Sequence, residues 1–407
     1  MNPPASFSSL PPELVSKICS DPGLSKKDLV ALRLTSKSQH IHVSATRAFG
    51  KRYFTKVPIL FTKYSLETFA KICQHSIFSA CIRTVELSCA RTGSRTFNYT
   101  LRDLTHRRLS RNEILQRAQL LAERCDNEEK LDVEDARAKF VQAFAQLAKS
   151  DHSIALAVSS NEFMSIGESK VYEASTASDR WYADIPSAVW LLLFSAMNTG
   201  CKVHKLEIYT FAQRYINTIT NEHYPLSELL RSIPELDLDL TLVAARSTVP
   251  PGALQVLNDL LSWSTNVKIL HVRLSLNNTK YDDFESFSKL ISALPFEELD
   301  MKCVQMLHDV LISLMKGLGR TLRRLTMSEC FITGSWDSVL LHIQQHQHGL
   351  QFLHISRCNG PWKKVTKTYE GNADIRSGVA ELLQARQLVY NLDDDDDSDT
   401  DDLIVLD

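Results

Sequence analysis

The feature that most constrains the chain is a short segment that keeps returning with a Leu-x-apolar core. It reads IRTVELSCA (82–90), VHKLEIYTF (203–211), ELDLDLTL (235–242), VKILHVRLSL (267–276), FEELDMKC (296–303), LRRLTMSEC (322–330) and LQFLHISRC (350–358). Apolar and polar residues alternate in each, the period of a strand with one buried face. Aligning Leu206, Leu238, Leu270, Leu299, Leu325 and Leu353 gives steps of 32, 32, 29, 26 and 28 residues. Helical periodicity fills the gaps at 226–233, 253–263, 284–294, 304–318 and 338–347. One strand and one helix cannot bury their own apolar faces, so the units must stack, and an α/β chain built as a βα solenoid is expected over 55–390.

Three of these segments place a cysteine near the strand's end, at Cys303, Cys330 and Cys358, and Cys89 is similar in the first. This resembles the Leu-x-Leu-x-x-Asn/Cys unit of leucine-rich repeats, which implies that the residue turns inward and that these thiols are buried rather than reactive. The stretch 91–200 interrupts the period. Within it, Ile114, Ala118, Leu121, Ala122 and Cys125 follow the same offsets as Ala136, Phe140, Ala143, Phe144 and Leu147. Two amphipathic helices in a hairpin are predicted, with Asp132 as cap of the second, then a strand at 153–160, a polar loop through Asp184 and a helix at 188–197. Such an insertion either shapes a binding face or only packs against the repeats.

Ahead of the repeats, residues 6–54 have a different pattern. In SFSSLPPELVSKICSDPGLSKKDLVALRLTSK, Leu10, Leu14 and Ile18 recur every fourth residue behind Pro11 and Pro12, the positions of a helix's first turn. A DPG turn follows, then a second helix capped by Ser25 and Asp28 with Leu29, Leu32 and Leu34 on its apolar side, and a third helix carrying Ile41, Ala45 and Phe49. Three helices in so few residues cannot cover all that apolar surface by themselves.

The order LPPEL, then KDLVALRLTSK, resembles the F-box, here the F-box of fungal-type proteins that carry irregular leucine-rich repeats. Gln39 and His40 stand where that family often has Trp. The resemblance implies a three-helix F-box in which Leu10, Pro11, Leu14, Ile18, Leu29 and Leu32 sit at or beneath the surface that binds the Skp adaptor, and through it a cullin. The function it implies is substrate recognition for a ubiquitin ligase, with the solenoid holding a target protein. The rival is an interaction scaffold whose helices merely cap the solenoid.

Composition narrows the classes further. No stretch of about 18 uncharged apolar residues occurs and the N-terminus does not read as a signal peptide, so no membrane partner and a cytoplasmic or nuclear location are expected. The sequons at Asn98 and Asn277 would be inert there. Nine cysteines without a CxxC pair signal neither a disulfide framework nor a zinc site. Nucleotide, hydrolase and metalloprotease motifs are absent, so neither an enzyme nor a cofactor is expected. His342 and His346 stand one turn apart without a further ligand, which reads as a solvated helix end.

The net charge of −2 hides nine Asp in 393–407; the remaining chain has 46 basic against 39 acidic residues, a balance of +7 without a basic stripe that would call for nucleic acid. The segment 391–407 is expected to be a solvated acidic tail. Directly after Asp401 and Asp402, however, come Leu403, Ile404, Val405 and Leu406. That stretch resembles the motif that binds small ubiquitin-like modifiers, in which apolar residues add a strand to the modifier's sheet and acids meet its basic rim. Ser398, followed by acids, resembles an acidophilic-kinase site whose phosphate would add to that charge.

Overall fold

Val15 and Cys19 set the start of the fold. The computed structural model describes residues 10–35, 38–88, 90–91, 110–116, 118–119, 123, 133–159, 181–182, 185–210, 226–240, 261–274, 288–289, 291–359 and 366–393. They divide into two units, Met1–Val243 with Pro250–Asn266 and Ala244–Val249 with Val267–Asp407. The chain is mixed α/β, and its strands are mostly parallel.

The first unit begins with α1 (Pro12–Cys19), α2 (Lys26–Thr35) and α3 (Gln39–Tyr53). Between the first two, the Gly23 amide donates to Asp21 Oδ1 at 2.8 Å, and the cap of α2 forms as the sequence implies: Ser25 N donates to Asp28 Oδ2 at 2.8 Å while Asp28 N donates to Ser25 Oγ at 3.2 Å. The hydrogen bonds from Ser25 hold the Asp28 carboxyl below its usual range. Val15 and Cys19 face inward, with Leu29, Ile41, Ala45, Ala48 and Phe49, and Leu10, Leu24, Leu32 and Ile72 are partly buried against them. This core is completed from later in the chain by Phe78 of α5 (Ser76–Ser79), and α4 (Lys63–Gln74) supplies Ile72. The Arg33 guanidinium lies 4.7 Å from the Phe49 ring centre and 5.0 Å from that of Phe78, a cation held between two aromatic faces.

The strands of this unit are β1 (Lys56–Leu60), β2 (Thr84–Ser88), β3 (Ala90–Arg91), β4 (Ile154–Ser159), β5 (Trp181–Tyr182), β6 (Val203–Thr210) and β7 (Glu235–Leu240). β1, β2, β4, β6 and β7 pair in that order, all parallel, while β3 and β5 form a separate antiparallel pair. Val57, Val85, Leu156, Leu206 and Leu236 stand in register and are fully buried. A second row, Ile59, Leu87, Val158, Ile208 and Leu238, runs beside it. Leu206 thus pairs with Leu236, two residues earlier than the leucine spacing implies. Alternation makes Leu236 and Leu238 equivalent in face but not in height, so spacing alone could not tell them apart.

Part of the stretch 91–200 joins the sheet. It supplies β4, the helix α6 (Val133–Leu147) that crosses to it, and α7 (Ile185–Asn198), which leads to β6. Phe140 and Phe144 of α6 pack on Phe69 of α4, each pair of ring centres 6.1 Å apart, and all three rings are fully buried. Of the predicted hairpin's first helix, residues 111–116 are helical behind a Ser110–Glu113 capping box. Of its continuation, residues 118–119 and 123 are also helical; the rest of it, Asp132 and the loop of 160–180 lie outside the described residues. A short helix α8 (Leu226–Leu230) precedes β7.

In the second unit β8 (Ile269–Leu274), β9 (Glu298–Lys302), β11 (Arg324–Ser328) and β13 (Phe352–Ser356) pair in order and in parallel, with Leu270, Leu299, Leu325 and Leu353 in register as the spacing implies. Each of β9, β11 and β13 ends in a residue of positive φ, at Cys303, Glu329 and Arg357, and the next residue turns inward: Val304, Cys330 and Cys358. Cys303 therefore occupies the turn and not the buried slot, and is only half-buried; one residue of register separates it from the other two cysteines. Val304 fills the slot instead. The turn is followed by a short strand, β10 (Gln305–Leu307) and β12 (Phe331–Thr333), which pair with each other. The helix predicted from 304 accordingly starts only at His308, as α9 (His308–Leu318). α10 (Trp336–His346) follows β12, its N-cap Ser335 accepting from Ser338 N at 3.2 Å. Asn359 closes the free edge of β12, accepting from Ile332 N and donating to Ile332 O at 2.6 and 2.7 Å. The row then ends in β14 (Thr366–Glu370), antiparallel to β13, and in α11 (Asn372–Asp393). Tyr369 of β14 lies so close over Gly378 of α11 that a Cβ there would stand 2.1 Å from the ring.

Of the helices read at 253–263 and 284–294, residues 261–263, 288–289 and 291–292 are helical, the second ends in a turn at 293–294, and the rest lie outside the described residues. So do Cys89, Asn98, Asn277, Ser398 and the stretch Leu403, Ile404, Val405 and Leu406.

Candidate interaction surfaces

Helix α1 carries two adjacent apolar stripes. Val15 and Cys19 fill the core, which leaves Leu14 and Ile18 outside it, 49% and 39% exposed. On α2, Leu29 is fully buried, Leu32 is half-buried against the core and Leu34 is 79% exposed. Pro11 is exposed and Leu10 half-buried. The residues carried over from the F-box therefore separate into an outer set, Pro11, Leu14 and Ile18, and an inner set, Leu10, Leu29 and Leu32, which supports the helices from below. The sequence pattern puts Leu34 on the apolar side of α2 with Leu29 and Leu32. It belongs outside, because the Arg33 guanidinium beside it takes the inward direction between Phe49 and Phe78. Three large aliphatic side chains left in water on two short helices are unusual for a module that has a complete core beneath them.

The second kind of surface is the polar side of the strands. In the first unit, the residues that alternate with the buried rows include Lys56, Glu86, Lys205, Glu207, Tyr209, Glu235 and Asp237. Lys56 Nζ meets Glu86 Oε2 at 3.0 Å. Lys205 Nζ lies 2.9 Å from Glu235 Oε1, 3.2 Å from Glu207 Oε1 and 3.5 Å from Asp237 Oδ2. Burial alone would lower its pKa, but the hydrogen bond to Glu235 and the charges of Glu207, Glu235 and Asp237 hold the ammonium well above its ordinary value. The Tyr209 hydroxyl donates to Glu207 Oε2 at 3.0 Å and to Asp237 Oδ2 at 3.4 Å; burial first, and then the two carboxylates, push its phenol far up, so it remains a donor. The polar positions of HKLEIYT and ELDLDL were visible as alternation, but which charges would meet across two strands depends on the register.

In the second unit the same side of the strands presents a mixed set. Arg324 Nε lies 3.5 Å from Glu298 Oε2, and its guanidinium stacks 4.0 Å from the centre of the Phe352 ring. His271 Nδ1 is 3.6 Å from Asp300 Oδ2. His354 Nδ1 and Thr368 Oγ1 are 2.8 Å apart, and Ser356 Oγ and Thr366 Oγ1 2.9 Å. These groups can recognise polar partners through charge and hydrogen bonding.

The cysteines divide by register. The Cys330 thiol donates to Met301 O at 3.3 Å, and that of Cys358 to Met327 O at 3.6 Å, one strand farther along. Its hydrogen bond with Cys358, together with burial, pushes the Cys330 thiol well above its ordinary pKa. Cys303 Sγ instead reaches Glu329 Oε2 at 3.2 Å near the surface. Native protein treated with N-ethylmaleimide is expected to label at Cys303 and to leave Cys330 and Cys358 intact until it is unfolded. Peptide mapping checks this, and rapid native labelling of Cys330 would contradict its buried position.

His342 is not solvated. It is buried on α10, its ring stacked 4.8 Å from His346, and burial followed by the neighbouring charges of His346 and Lys316 lowers its pKa. Among the described residues, no three His, Cys, Asp or Glu side chains are placed to hold a metal ion, and no helix is long and apolar enough to cross a membrane. In comparisons with known proteins, no family model matches the chain and no curated protein matches it.

Proposed function

We propose that the chain is the substrate-recognition subunit of a Skp–cullin–F-box ubiquitin ligase. The observation that carries this reading is the outer stripe of Leu14 and Ile18 on α1 of a three-helix module whose core is already filled. In its support, the stripe includes positions that the F-box resemblance marks for adaptor contact. In this reading the Skp adaptor covers the stripe, a cullin binds through the adaptor, and the polar strand faces hold a target protein. The ligase's other subunits supply the activated ubiquitin, and the chain contributes proximity by raising the effective concentration of the target's acceptor lysine.

The test is co-purification of the full-length protein from its own cells at native abundance. Adaptor and cullin are expected in amounts equal to the bait. Their absence, with other partners recovered, would instead favour a scaffold whose first helices only cap the repeats.

A further inference from the structure

Arg47, Gly50 and Lys51 share one face of α3, and that face meets the end of α5 and the turn behind it. Gly50 permits the approach: a Cβ there would stand 2.9 Å from Cys81 Sγ and 3.2 Å from the Phe78 ring. An open cavity of about 240 Å³ lies where they meet, lined by Arg47, Lys51, Ser76, Ile77, Ala80 and Cys81. Arg83 is anchored beside it, its Nη1 donating to Ala80 O and Ile82 O, each at 3.0 Å.

The charge here is of one sign. Neither Arg47 nor Lys51 makes an ion pair among the described residues, and the partners of Arg83 are backbone carbonyls. The buried Cys81 thiol registers the resulting field: burial raises its pKa, Arg83, Lys51 and Arg47 oppose that rise, and no carboxylate acts on it. Like charges four residues apart disfavour a helix. The dipole of α3 offsets this for Lys51 in the last turn, but Arg47 stands a turn earlier. A local conflict without a compensating partner is what a binding site leaves in the free protein.

We propose that this cavity takes a phosphate monoester carried by a serine or threonine of another protein, with the Arg47 guanidinium spanning two of its oxygens, the Lys51 ammonium beside the third, and the Ser76 hydroxyl as a further donor. A phosphate monoester brings nearly two negative charges and three acceptor oxygens, which match an arginine fork and further cations better than a single carboxylate does. Ile77 and Ala80 suit the carbon stem of the modified residue. The volume is below that of pockets that enclose a whole small molecule, and one cavity is not the stripe of cations that tracks a nucleic-acid backbone. The proposal goes beyond the ligase reading, since the cavity includes none of the residues that the F-box resemblance marks for the adaptor.

The experiment uses the full-length chain and a blocked pentapeptide, acetyl-Gly-Ala-phosphoSer-Ala-Gly-amide, against the same peptide with serine or aspartate at its centre and against inorganic phosphate. The methyl resonance of Ile77 follows each titration. The phosphopeptide is expected to bind about tenfold or more tightly than either other peptide and to weaken with added salt. Arg47→Gln with Lys51→Gln is expected to remove the preference while the protein melts at its normal temperature, because both side chains are exposed. Equal binding of the phosphopeptide and the serine peptide to the wild-type chain would overturn the proposal, and that comparison needs no variant to fold. An undiminished preference in the double variant would overturn it too, and inorganic phosphate binding as tightly as the phosphopeptide would overturn its assignment to a protein segment. Adaptor capture by the double variant is expected to be unchanged; its loss would give these cations to the adaptor and likewise overturn the proposal.

Discussion

Leu14→Asp and Ile18→Asp are each expected to abolish capture of the proposed Skp adaptor while the protein unfolds at nearly its normal temperature. Both side chains are well exposed, so in the isolated chain the new carboxylate stays in water and stability should move by no more than about 0.5 kcal/mol. In the complex the same carboxylate would be covered by an apolar partner without a counter-charge. Leaving such a charge unpaired costs about 3–5 kcal/mol, which is a loss of roughly hundredfold or more in affinity. Val15→Asp one residue along is the contrasting control, since Val15 is fully buried and its replacement should unfold the module itself. Immobilised adaptor and a thermal melt on each variant make the comparison. A folded Leu14→Asp protein that still binds at full strength would end the F-box reading.

The second large effect concerns the stretch 91–200. Phe140→Ala should destabilise the first unit by about 3–5 kcal/mol, because it removes a fully buried ring from between Phe69 and Phe144 and leaves a cavity that the surrounding helices cannot close. Denaturant titration of the full chain should show the midpoint falling with little change in slope. A loss below about 1 kcal/mol would mean that α6 is an accessory to the sheet and not part of its core.

The strands were legible because alternation is a property of single segments. The leucines of the second unit even gave the true register, since Leu270, Leu299, Leu325 and Leu353 sit at the same height on consecutive strands. The same rule misplaced Leu238 because two leucines of ELDLDL share a face. Cys303 was misread for a related reason: a one-residue offset is invisible in composition but exchanges a left-handed turn for a buried slot. In α1 the apolar positions were legible, but a helix with two adjacent stripes does not show which one fills the core until its neighbours are known. The Lys205 group needed contacts between β6 and β7, which no segment encodes alone. The closing strand β14, with its burial mostly exposed, carries too little hydrophobic alternation to be read from TKTYE.

The sharing of Phe78 has a mechanical meaning. Because α3 and α5 complete one core, with Arg33 clamped between their rings, no flexible spacer separates the first three helices from the beginning of the sheet. A tether lets a bound cargo sweep a volume, whereas a bracket holds it at one distance and one angle. In the ligase reading proposed above, that difference decides which lysines of the cargo come within reach: a bracket selects acceptors by where they stand on the cargo's surface, and a cargo that binds well but presents its lysines on the far side would be held without being modified.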